Sequence, residues 1–121
     1  MRISISERRK APRFTEIFSF EYKALRGGGE QEWVKTETIN VSEFGVCVAC
    51  EEELFTDEVL RVRFSVEAVE INAFCDVIWC RKDEKTGVLS AGLEFEFIGE
   101  REEYAYNNFI KNLLRRKGLI K

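Results

Sequence analysis

Four cations crowd the stretch Arg8-Arg9-Lys10-Ala11-Pro12-Arg13, and a second polar cluster, Asn40-Val41-Ser42-Glu43-Phe44-Gly45, lies further along the chain. The first is built for anions, because a planar guanidinium donates two parallel hydrogen bonds to phosphate oxygens and can also lie flat on a ring. The second pairs an amide and a hydroxyl with a glycine, which suits either ligand contacts or a turn in which Asn40 and Ser42 bond their own backbone. Cys47 and Cys50 form a CxxC pair, but the chain has no His. In a strand, residues three apart face opposite sides, so the two thiols cannot share a metal without a turn between them. With Cys75 and Cys80 they are expected to be reduced, structural thiols. The carboxylates are numerous, yet no spacing among them marks a general acid and base or a metal cage, so no enzyme and no cofactor is expected.

The elements that must carry these residues are mostly strands. Leu60, Val62, Phe64 and Val66 alternate with polar neighbours, and so do Val69, Ile71, Ala73, Cys75, Val77 and Trp79. Leu93, Phe95 and Phe97 form one face of a further strand, with Gly92, Glu94 and Glu96 pointing away. Period two marks strands that bury one side. The polar, Gly-containing stretch 81–87 predicts a hairpin between the last two strands, and Gly27-Gly28-Gly29 predicts another between 17–25 and 33–39. The short apolar run 44–49 completes about six strands. After residue 100 the period changes: Tyr106, Phe109, Ile110, Leu113 and Leu114 make one helical stripe, with Glu100, Glu102 and Glu103 ahead of it and Arg115, Arg116, Lys117 and Gly118 behind. The stripe is expected to pack on the strands. Trp79 and most phenylalanines fall on the apolar phase and read as core; Trp33, beside the Gly-rich loop, does not fit that phase as clearly.

Bulk properties narrow the function. The chain has 121 residues and 45% hydrophobic content, enough for one domain with its own core. No apolar run reaches the roughly 20 residues of a membrane span, and residues 1–13 are polar and basic rather than signal-like, so a cytoplasmic protein without membrane insertion is expected. The formal net charge of −3 disfavours a polyanion as partner, and Glu51, Glu52, Glu53, Asp57 and Glu58 gather in one later loop. A small anionic ligand fits that distribution better than a nucleic-acid polymer.

The two clusters take the forms RxxxR, Arg9 to Arg13, and (D/N)xSxxG, Asn40 to Gly45. In that order, ahead of a β-barrel pattern and a terminal helix, they resemble the PilZ domain family. The resemblance spans essentially the whole chain. It implies a six-stranded antiparallel β-barrel with a C-terminal α-helix, residues 15–121, preceded by a pliant arm, residues 1–14. It also implies a receptor for the second messenger cyclic di-GMP that signals to a protein partner. Arg9 and Arg13 are then assigned to guanine edges and phosphates, Asn40 and Ser42 to guanine, phosphate or ribose, and Gly45 to a tight turn or a close backbone approach. Arg8 extends the motif to RRxxxR, the form that goes with two stacked ligand molecules. Pro12 holds Ala11 extended, which presents the arginines from a non-helical segment. An adaptor of the same fold that ignores the nucleotide is the alternative, and a nucleic-acid-binding barrel using the basic arm is a more distant one.

Overall fold

The computed structural model describes residues 12–25 and 31–119. Six strands form: β1 Ser19–Ala24, β2 Val34–Val41, β3 Gly45–Cys50, β4 Val59–Val66, β5 Val69–Lys82 and β6 Leu89–Ile98. All pairings are antiparallel, and the sheet closes into a barrel in the order β1-β2-β3-β6-β5-β4. Closure removes every sheet edge among these strands. The alternation in β4 is realised directly, with Leu60, Val62, Phe64 and Val66 buried and the arginines between them half-buried. The β5–β6 connection is organised by Asp83, whose carboxylate accepts the Lys85 and Thr86 N–H groups at 2.8 and 3.0 Å, and Gly87 follows at φ +73°.

Among the described residues a single helix, α1, runs from Glu100 to Arg116 and packs on β5 and β4. Its buried stripe is Tyr106, Phe109, Ile110 and Leu113, each side chain worth roughly 1.5–3 kcal/mol of burial. Leu114 packs partly buried at the margin, and Gly118 closes the helix at φ +73°. The stripe lands on an aromatic cluster: Phe64 stacks on Phe18 and Phe20 with centroids 5.7 and 5.2 Å apart, and the Tyr106 ring meets Phe95 at 4.9 Å. The segment ahead of β1 is fastened by buried Thr38 on β2, whose hydroxyl accepts the Phe18 N–H at 3.0 Å and donates to the Glu16 carbonyl at 2.6 Å.

Two readings of side-chain phase are corrected here, both on the β5–β6 pair. Its register shifts between Phe74 and Cys75 and again between Val77 and Trp79. Opposite the first shift, Phe97 pairs with Phe74 and Phe95 with Cys75, so Glu96 is the extra residue and everything beyond it changes face. Phe97 is therefore not on the core face with Leu93 but 65% exposed, edge-on to Phe74. At the second shift Ile78 is the extra residue, and Trp79 leaves the core phase set by Ile71, Ala73, Cys75 and Val77. Val69, at the opposite end of that strand, is 37% exposed because it borders the β4–β5 turn.

Candidate functional site

Asn40 is the penultimate residue of β2, Gly45 opens β3, and residues 42–44 form a tight turn between the strands. The turn is held by the Ser42 N–H donating to the Gly45 carbonyl at 2.9 Å and by the Phe44 N–H donating to Ser42 Oγ at 3.3 Å. Phe44 is in turn tied to β6, its carbonyl accepting the Phe95 N–H at 3.0 Å. At Gly45 a Cβ would run into the Leu93 carbonyl of the neighbouring strand, a backbone obstacle that cannot swing aside. The glycine is required by close approach between strands.

The N-terminal segment reaches this turn through an isolated antiparallel bridge. The Phe14 N–H donates to the Val41 carbonyl at 2.8 Å, the Val41 N–H donates to the Phe14 carbonyl at 2.9 Å, and the Phe14 ring is buried. Arg13, one residue earlier, is exposed and is thereby held beside Asn40 and Ser42. A cleft of about 320 Å³ opens between them, its far wall made by β5 and β6. Cys47 lines it too: burial pushes its thiol above the ordinary range, while the Arg13 charge acts in the opposite direction.

The far wall carries groups that the sequence reading did not select. Trp79 lies over Gly92, its register partner, and a Cβ on Gly92 would collide with the indole. The Arg81 guanidinium sits 4.9 Å from the centroid of that ring. Two cations, Arg13 and Arg81, a half-buried indole and the polar pair Asn40 and Ser42 thus border one opening, with Glu94 also at its margin. The signal was present: residues two apart in a strand share a face, so Trp79 and Arg81 had to point the same way, and a glycine within a strand marks a close approach. The extra residue Ile78 concealed which way that was.

Of the six residues selected from sequence, Arg13, Asn40, Ser42 and Gly45 border this cleft. Arg8 and Arg9 lie outside the described residues. Cys47 faces the cleft while Cys50 packs against the core, as expected for opposite faces of one strand. Among the described residues no cluster of His, Cys, Asp or Glu is placed to hold a metal, and no helix is long and apolar enough to cross a membrane. Trp33 lies elsewhere, covered by Arg63 at 3.9 Å, Lys23 at 4.7 Å and Arg61 at 5.9 Å.

Comparison with known proteins is consistent in fold. The family model described as "PilZ domain" matches residues 7–112. No curated protein matches the sequence. Among solved structures, the Bacillus subtilis inhibitor of motility MotI/DgrA superimposes with a TM-score of 0.71 at 17% identity, covering 89% of this chain and 50% of that one. The K. pneumonia MrkH–c-di-GMP complex gives 0.66 at 14% identity, over 90% of this chain and 52% of MrkH. The PilZ domain of YcgR from Escherichia coli with c-di-GMP gives 0.62 at 13% identity, over 91% and 94%. The chain thus spans about half the length of MotI/DgrA and MrkH and nearly all of the YcgR domain.

Proposed function

The chain belongs to the PilZ domain family, and from that premise we propose that it is a non-enzymatic receptor for cyclic di-GMP. The observation that carries this reading is the Phe14–Val41 bridge, which brings Arg13 of RxxxR to the same cleft as Asn40, Ser42 and Gly45 of the second motif. Cyclic di-GMP presents two phosphates and two guanines, each with O6 and N7 acceptors that match an arginine fork. Arg13 takes phosphate or a guanine edge, Asn40 and Ser42 fix the base and the sugar-phosphate, and the Trp79 indole offers a flat apolar surface for a guanine. Arg81 adds a second cation on the same wall. At about 320 Å³ the cleft is at the small end of the usual 300–1,000 Å³ range of ligand sites, which suits it to part of the nucleotide.

The remaining part is proposed to be covered by the N-terminal segment, with Arg9 and Arg8 supplying the missing guanidinium groups and Arg8 admitting a second, stacked ligand. Closure of that segment would change the surface shown to a protein partner, so the nucleotide acts as the input and the altered surface as the output. The test is selectivity. With intrinsic tryptophan fluorescence as readout, cyclic di-GMP should saturate the signal, while cyclic di-AMP and a random single-stranded oligonucleotide at the same concentration should leave it unchanged. An equal response to the oligonucleotide would identify a polyanion binder instead.

A further inference from the structure

The turn that carries Asn40 and Ser42 has a support from outside the sheet. Tyr106, on α1, sends its hydroxyl to the Ser42 carbonyl at 2.7 Å, with the Gly45 carbonyl 3.3 Å away. The two acceptors are the residues on either side of the turn, so a single O–H spans it from below. The phenol is buried, and burial pushes its pKa far above the ordinary value, so it remains a protonated donor throughout the working pH range.

The ring behind that hydroxyl is held in place as well. Phe95 lies 4.9 Å from it, edge to face, Phe64 lies 6.0 Å away and Phe109 another 6.0 Å. Phe95 also donates its N–H to the Phe44 carbonyl, so the ring and the turn rest on the same residue of β6. The hydroxyl cannot move without moving the aromatic cluster, nor the helix without moving the hydroxyl.

We infer that Tyr106 is a positioning residue for the nucleotide site, holding the Asn40–Gly45 turn in its binding shape and tying that turn to the C-terminal helix. The inference rests on the receptor reading above. It touches no ligand; it acts through the Ser42 and Gly45 carbonyls, which set where the Asn40 amide and the Ser42 hydroxyl point. Removing the donor takes this partner from the Ser42 carbonyl, while the Gly45 carbonyl keeps the Ser42 N–H, and the turn is freer to relax. Because binding couplings are reciprocal, whatever shifts the Tyr106 hydroxyl against the turn changes nucleotide affinity, and the nucleotide changes the hold on that hydroxyl by the same factor.

The experiment compares wild type, Tyr106→Phe and Leu113→Val by calorimetry with cyclic di-GMP, by thermal melting, and by amide hydrogen exchange along 100–116. Tyr106→Phe keeps the ring and deletes only the oxygen; Leu113→Val trims the same buried stripe nearly two turns away from the turn contact. Tyr106→Phe should raise the dissociation constant about 5- to 20-fold, whereas Leu113→Val should lower the melting temperature yet hold the dissociation constant within about twofold. Ligand should protect helix amides in wild type and fail to do so in Tyr106→Phe. Wild-type affinity in Tyr106→Phe, or an equal affinity loss in Leu113→Val, overturns the positioning role while leaving the receptor reading intact. A wild-type protein that shows no binding removes both.

Discussion

Arg13 and Trp79 make different demands on a ligand, and their substitution should separate charge recognition from stacking. Arg13→Ala deletes charge-assisted hydrogen bonds and should weaken cyclic di-GMP binding by roughly 1.5–3 kcal/mol, about 10- to 100-fold, with the loss easing as salt rises because part of it is screened attraction. Trp79→Ala should cost about 1–3 kcal/mol if a base lies on the indole, by analogy with base–aromatic stacking elsewhere, and should abolish the fluorescence response without changing the salt dependence. Titrations at two ionic strengths distinguish the two. At this scale, Arg13, Asn40, Ser42 and Gly45 were selected because RxxxR and (D/N)xSxxG occur together in the order that carries the family resemblance; by residue type alone the second cluster suits a turn as well as ligand contacts. Trp79 was not, since an indole on an apolar phase is core unless the strand changes phase, and nothing local to Ile78 announces that it does.

The elements position the site through a few non-repeating contacts. Thr38 is one, joining the segment before β1 to β2 from a fully buried position. Thr38→Val keeps the shape but strands the Phe18 N–H and the Glu16 carbonyl, so it should destabilise by about 1–3 kcal/mol in urea unfolding. An unchanged urea midpoint would show that water replaces the hydroxyl without loss. Gly45 is another: Gly45→Ala drives a methyl into the Leu93 carbonyl and should cost at least the roughly 1–3 kcal/mol typical of overpacking. Its nucleotide affinity should fall as well, because the strands must part where the turn ends. Most strands and the helix were legible from period, since one-sided burial writes itself into alternation, and both hairpins from the glycines and polar residues between the strands. The two β5–β6 register shifts were not, because a bulge depends on the partner strand, and they are what expose Phe97 and turn Trp79 into the cleft.

For the molecule as a whole, the net charge is −3, yet Arg13 and Arg81 both border the cleft, with Glu94 at its margin. That arrangement admits a small dianion more readily than a long polyanion, whose backbone would also meet the acidic remainder. Stability should depend on pH on the alkaline side. Burial raises the thiols of Cys47 and Cys75, and it raises Cys50 from 9.0 to about 12 with Cys80 beside it. A folded pKa above the unfolded value gives a contribution present in full below about 9 and lost as pH rises toward 12, because the unfolded chain ionises first. The urea midpoint should therefore hold from neutral pH to about 9 and then decline, and a Cys50→Ala variant should decline less steeply. A flat midpoint to pH 11 would show that these thiols are hydrated in the folded protein.

The receptor reading is tested most directly by isothermal calorimetry with cyclic di-GMP on wild type and Arg13→Ala, read for both stoichiometry and affinity. Saturable heat at one or two molecules per chain in wild type, with a dissociation constant about 10- to 100-fold higher in the variant, is the predicted result. No heat from wild type at millimolar nucleotide would contradict it and leave a barrel of this family that works through protein contacts alone, whereas identical saturable isotherms for the two proteins would remove Arg13 from the site.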